Sequence, residues 1–153
     1  MRTILARHKI GASRPGMEAI SGDTKMICAY WNGTAPASIV AGQPVVIAYG
    51  QNGPQVATPA TSSVYQTVAV ALDNATTAGY YWFQTRGIGR VLVNGAVNQG
   101  AFVKVTNASA TKGVSDGASR TANSFAVARE ANSSGEKLIS AYIIGDRVTI
   151  PAS

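Results

Sequence analysis

Glycine and proline interrupt this chain so regularly that only two stretches, 60–78 and 118–134, run beyond about 12 residues without either. Both are rich in Ser, Thr, Asn and Val, residues that bond to nearby backbone outside helices or lose side-chain freedom inside them. Helix is therefore excluded as the main element. Between the interruptions lie Val, Ile, Tyr, Phe and Thr, which suit a pleated, half-buried backbone. The spacing predicts strands over 26–31, 44–49, 64–72, 80–86, 88–93, 101–106, 124–129, 138–144 and 146–150. The expected fold class is all-β.

The pattern also recurs. At an offset of 57 residues, Val68-Ala69-Val70-Ala71 aligns with Phe125-Ala126-Val127-Ala128, Asp73 with Glu130, Arg90 with Arg147, Val91 with Val148 and Val93 with Ile150. Gly42-Gln43-Pro44-Val45-Val46-Ile47 matches Gly100-Ala101-Phe102-Val103-Lys104-Val105 with the offset slipped by one place. The chain thus reads as two similar small β units, 39–95 and 96–153, preceded by an extended N-terminal arm and first strand over 1–38. Units of this size bury too little apolar surface to stand alone. They are expected to pack together as a sandwich or barrel in one globular body. The polar stretches 50–63 and 107–123 fall at equivalent places and read as long loops.

Charge divides the chain differently. Its 153 residues hold 13 Lys and Arg, 7 Asp and Glu and one His. The charged share is 13%, against roughly 25% in an ordinary domain. Arg2, Arg7, Lys9, Arg14 and Lys25 make the N-terminal segment basic, whereas from Met26 to Thr85 the sole charged residue is Asp73. The second unit carries charge throughout. Surfaces that face water are normally charged, so the reading is that the first unit faces protein and the second faces water.

The same composition excludes several functions. A single cysteine, Cys28, allows no intrachain disulfide, and with the single His8 it cannot supply a zinc site. No metal or cofactor is expected. His8 sits among Arg7, Lys9 and Arg14 in an arm without fixed geometry for a nucleophile–base pair. Asp73 and Glu130 could form a glycosidase pair, but each follows an Ala/Val strand at the start of a turn, where an acid is simply solvated. Arg86-Gly87-Ile88-Gly89-Arg90 lacks the third glycine of a dinucleotide loop and the Lys and Ser/Thr of a P-loop, and reads as a strand bend or bulge. No enzyme is expected. The Asn-x-Ser/Thr triplets at 32–34, 74–76, 107–109 and 132–134 are by-products of composition. No apolar run approaches the ~20 residues of a membrane span, nor does a signal-peptide core follow the basic N-terminus. No membrane partner is expected, and synthesis is placed in a reducing cytoplasm. A sequence pI near 9.8 invites a nucleic-acid reading. Yet the aromatics concentrate where the cations do not, and a single-strand binder interleaves them. Direct nucleic-acid contact is not expected.

Three features together resemble the small capsid cement, or head decoration, proteins of tailed bacteriophages. They are the Gly-x-x-Val-x-Val/Ile openings (42–47, 100–105), the Val/Phe-Ala-Val-Ala-x-Asp/Glu segments followed by Ala and Gly (68–79, 125–135), and the strands ending Gly-Arg-Val (89–91) or Gly-Asp-Arg-Val (145–148). The resemblance spans 39–150 and leaves out the arm. It implies a non-enzymatic virion protein, made in the host cytoplasm, that binds the outside of an expanded head. Such a protein clamps neighbouring subunits of the major capsid protein and forms homo-oligomers, trimers foremost. A carbohydrate-binding or host-adhesion module of a virion fibre is the alternative. The candidate contacts with capsid or neighbouring protomer are Arg2, Arg7, Lys9, Arg14 and Lys25 in the arm, and the aromatics Tyr30, Trp31, Tyr49, Tyr65 and Tyr80. Trp82 and Phe83 are divided between core and interface. Tyr80 and Tyr81 point to opposite faces of one strand, so one of them at most is core.

Overall fold

Period-2 alternation of apolar residues turns the short runs into strands with one buried face. The structure, a computed structural model, describes residues 17–50, 53–57, 65–106, 109 and 111–151. Its strands are β1 (Glu18–Ser21), β2 (Thr24–Trp31), β3 (Pro44–Gly50), β4 (Gly53–Ala57), β5 (Tyr65–Ala71) and β6 (Gly79–Asn94). They continue with β7 (Phe102–Lys104), β8 (Val114–Gly117), β9 (Ser124–Ala128), β10 (Glu136–Ile143) and β11 (Arg147–Thr149). No helix occurs among the described residues. The fold is all-β.

The first half closes on itself. Hydrogen bonding runs β2-β4-β3-β5-β6, and β6 returns to β2 in an antiparallel ladder from Lys25↔Arg86 to Trp31↔Gly79. The result is a five-stranded barrel, in which β2 and β4 meet in parallel at Tyr30↔Gln55. Ile27, Ala29 and Trp31 of β2, Val45 and Ile47 of β3, Val56 of β4, Ala69 and Ala71 of β5 and Phe83 of β6 fill it. Closure removes sheet edges that would otherwise invite unwanted pairing.

The second half is built on β6 as the shared strand. Beyond Gly87, β6 pairs with β10, and the order continues β10-β9-β7-β8. A parallel bridge at Val93↔Gly113 brings the residue before β8 back to β6 and closes these strands into a second barrel. There the Asn94 N–H donates to Gly113 O at 2.9 Å and the Gly113 N–H to Leu92 O at 2.8 Å. Val91, Val93, Val103, Phe125, Ile139 and Ala141 lie in its core, and the same cluster takes in Val46, Val68 and Val70 from the outer faces of β3 and β5. Val148 of β11 and Ile150 belong to that cluster too, with β11 paired to β5. This cluster, distinct from the one inside the first barrel, therefore ties the halves together.

The two runs 80–86 and 88–93, expected as separate strands, are one strand bent at Gly87, where φ is +99°. A Cβ there would lie 2.9 Å from Asp23 O and from Thr24 Cα in the β1–β2 turn. The buried Gln84 side chain braces the bend by donating to Arg86 O at 3.1 Å and Ile88 O at 3.0 Å. The reading of 86–90 as a strand bend agrees with this.

Three expectations need correction. The stretches 50–63 and 107–123 are not loops throughout, since β4 and β8 lie inside them. Pro54 and the polar Ser115 and Asp116 hid these strands from a hydrophobicity reading. The arm does not extend to residue 25, because β1 pairs with β2 from Glu18↔Ile27 to Ser21↔Thr24. Ala19 is buried in a satellite cluster with Met26, Cys28 and Trp82. Finally, the aligned segments Arg90–Val93 and Arg147–Ile150 part ways, the first pairing with β10 and the strand of the second with β5.

Elsewhere the pairings of the halves correspond. Pro44↔Val70 and Val45↔Ala69 have counterparts in Phe102↔Val127 and Val103↔Ala126. Ile39 exchanges two hydrogen bonds with Ala75, as Val97 does with Asn132. The Gly42 N–H donates to Ala71 O at 2.8 Å, and the Gly100 N–H to Ala128 O at 2.8 Å.

Candidate functional site

On the outer side of the first barrel, β2 and β6 alternate inward and outward residues in antiparallel register. Ala29 and Tyr81 face inward, so the adjacent pair Tyr30 and Tyr80 faces outward. Their rings lie 5.2 Å apart and tilted by 58°, a favourable aromatic arrangement. Tyr80 is 47% exposed and Tyr49, near the end of β3, is 66% exposed. The exposed Tyr80 ring beside Tyr30 on an uncharged stretch makes this face the candidate contact surface, and Tyr49 is exposed separately near the end of β3.

The other candidates separate. Trp31 is corrected from interface to core, because it is 0% exposed inside the first barrel. Its Nε1 donates to Pro36 O at 2.8 Å, so even its polar group is used internally. Trp82 and Phe83 are both buried, Trp82 beneath β1 and Phe83 inside the barrel. Tyr81 packs against the barrel core, and its hydroxyl donates to Thr77 O at 2.6 Å. Lys25 forms an ion pair with Glu18 at 3.3 Å across the β1–β2 hairpin. Arg2, Arg7, Lys9, Arg14 and the Tyr65 side chain lie outside the described residues.

The acids hold structure together. Asp23, in the β1–β2 turn, accepts hydrogen bonds from the Tyr142 hydroxyl at 2.6 Å and Arg86 Nε at 3.1 Å. It thereby ties the first hairpin to β6 and to β10. The Tyr142 bond, followed by the Arg86 bond, holds the Asp23 carboxyl below its ordinary value, and the same bond raises the Tyr142 hydroxyl. Glu130 accepts the Ser140 backbone N–H at 2.7 Å and pairs with Lys137 at 3.3 Å. The backbone bond first, then Lys137, keeps it ionised further into acid. A carboxylate so engaged braces the β9–β10 connection. Asp116 is nearly enclosed, accepting from the Ser124 hydroxyl at 2.7 Å and facing Lys104 Nζ at 3.6 Å. Among the described residues no three His, Cys, Asp or Glu side chains gather in a way that could hold a metal ion.

A second surface feature escaped the sequence reading. The turn at Gly42 closes with the Gln43 N–H donating to Val40 O at 2.9 Å, and Gly42 has φ +84°. Positive φ at the third residue of such a turn is the glycine place of a type II turn. This turn lies on the outside of the second barrel, where the Leu92 N–H donates to Gly42 O at 2.8 Å. A Cβ on Gly42 would come within 2.1 Å of Leu138 Cδ1. The seam beside it is lined by Val40, Gln43, Lys112 and Glu136, the last two joined at 2.8 Å. The Gly42 motif was legible as the opening of a unit, but its landing place was not.

The same architecture occurs in a bacteriophage. A solved structure titled as the head fiber gp8.5 N base of bacteriophage phi29 matches this chain with a TM-score of 0.53 and 13% sequence identity. The match covers 80% of this chain and 96% of that one. At that identity the likeness is one of fold. No family model and no curated protein matches the sequence.

Proposed function

We propose that this chain is a non-enzymatic structural protein of a phage virion, bound to the outside of the head as a cement or decoration protein. The observation that carries the reading is the shared fold with a phage head fibre base over nearly the whole of that chain. The sequence resemblance to capsid cement proteins points the same way. The exposed, uncharged Tyr30–Tyr80 face supplies what a protein contact needs, since interface cores are depleted in charge and enriched in tyrosine. The basic residues Arg2, Arg7, Lys9 and Arg14 add a means of attraction to an acidic shell surface. The partner in this reading is the major capsid protein, and the protein acts as a homo-oligomer, trimers foremost.

Purified protein added to mature, undecorated heads is expected to bind at a defined stoichiometry and to raise the temperature at which they rupture. Removing residues 1–16, ahead of β1, is expected to weaken attachment and leave the barrels folded. Failure to bind heads, together with tight binding to a glycan, would replace this reading with the second one. That second reading is a host-adhesion module of a fibre, and the exposed ring of Tyr49 near a strand end favours it. Tandem duplication of one β unit is part of the same proposal. Its support is the set of matching hydrogen bonds at Gly42 and Gly100 and at Ile39 and Val97.

A further inference from the structure

The contact between the two barrels has one matching half left open on each of them. Inside the chain, the Gly42 turn of the first barrel sits on the outer face of the second, against Leu92 and Leu138. Leu92 and Leu138 are a cross-strand pair of β6 and β10, next to the inward pair Val91 and Ile139. The first barrel carries a pair in the same place. Tyr30 and Tyr80 lie opposite each other on β2 and β6, next to the inward pair Ala29 and Tyr81. Likewise, the Gly42 turn has its counterpart in the Gly100 turn, with the Ala101 N–H donating to Asn98 O at 3.0 Å and Gly100 at φ +87°. Gly42 is buried; Gly100 is exposed, and a Cβ on it would meet nothing within 4 Å.

We infer that a second copy of this chain completes the pattern, the Gly100 turn of one copy sitting on the Tyr30–Tyr80 pair of the next. Both surfaces are uncharged, since Asn98 and Gln99 flank the turn and Asp73 is the sole charge between residues 26 and 85. The match is therefore one of shape between uncharged surfaces. Tyr30 is already bridged to Gln55 of β4, so the contact between copies rests on ring packing and not on a repeat of the Leu92–Gly42 backbone bond. The two patches differ, so the contact is head-to-tail, and it closes into a ring or continues as a chain of subunits. The inference rests on reading the tyrosine face as a protein contact, and it does not depend on attachment to a head.

Light scattering on the full-length protein, after size exclusion, tests it without capsids. The wild type is expected above the 15.8 kDa of one chain. Tyr30→Ser/Tyr80→Ser removes one half of the contact. Gly100→Asn removes the other, with the residue that best tolerates positive φ after glycine. Each variant alone is expected at monomer mass with wild-type circular dichroism. Mixed, they are expected to form a two-chain species, because one intact turn and one intact face remain. Should either variant fail to fold, Tyr80→Glu and Gln99→Trp replace them on exposed positions. A monomeric wild type, an oligomer unchanged in either variant, or variants that do not pair when mixed would each overturn the inference. Head binding by a monomeric wild type would leave the proposed function standing while this inference fell.

Discussion

The two barrels share a strand plan and differ in how their outsides are finished. The second barrel is laced with ion pairs, Lys104–Asp116, Lys112–Glu136, Arg120–Asp146 and Lys137–Glu130. Among the described residues the first has Lys25–Glu18 and Arg86–Asp23 at its hairpin end, and Asp73 is the sole charge between residues 26 and 85. Surface ion pairs add little stability individually, so the difference is one of surface chemistry more than of stability. Its clearest expression is at Gly42 and Gly100. The same turn is covered by protein in one case and open in the other.

The largest expected effect separates the interior of the first barrel from its outside. Trp31→Ala empties the closed barrel and should cost about 3–5 kcal/mol, whereas Tyr80→Ser should change monomer stability by under about 1 kcal/mol. Urea unfolding of both variants measures this, and similar losses would mean that the outer face is structural. Next comes the pair of glycines. Gly42→Ala combines a strained φ with a clash against Leu138 and should cost about 2–4 kcal/mol. Gly100→Ala carries the backbone strain alone, about 1 kcal/mol. Equal costs would erase the asymmetry between covered and open turns.

The smallest effect is electrostatic, and it tests the joint between first hairpin and second barrel. Asp23 has a depressed folded pKa, so its contribution is present above its ordinary value of 3.8 and fades as pH falls through the folded value. Tyr142 is raised, so its contribution is present below 10.0 and fades as pH rises through its folded value. The melting-temperature difference between wild type and Tyr142→Phe should therefore be flat from roughly pH 5 to 9 and shrink at both ends. A difference that persists unchanged into strong acid would show that the Asp23–Tyr142 bond does not join these parts.

Alternating apolar residues between glycines were enough to read the fold class and most strand positions, because period 2 and turn chemistry are local. Burial did not follow that alternation at Val68–Ala71, where both faces of β5 are covered, Ala69 and Ala71 by one cluster and Val68 and Val70 by the other. Strands β4 and β8 were illegible, since Gly53-Pro54 and Ser115-Asp116 carry no apolar period and are held by pairing to β3 and β7. Trp31 was misread for a related reason. An aromatic in an uncharged run suits a core or an interface equally, and only the direction of β2 sends it inward.

By itself, then, the sequence determined that the chain is all-β and that Asp73 is the sole charge in 26–85, both properties of neighbouring residues or of composition. Tertiary structure alone decided that β6 serves both barrels, that Arg147–Thr149 turns back to β5 although its aligned segment pairs with β10, and that one glycine turn is covered and its counterpart is not. Those outcomes depend on which surfaces meet across long separations in the chain. Similar local patterns cannot encode that difference, because each stretch meets a different neighbour.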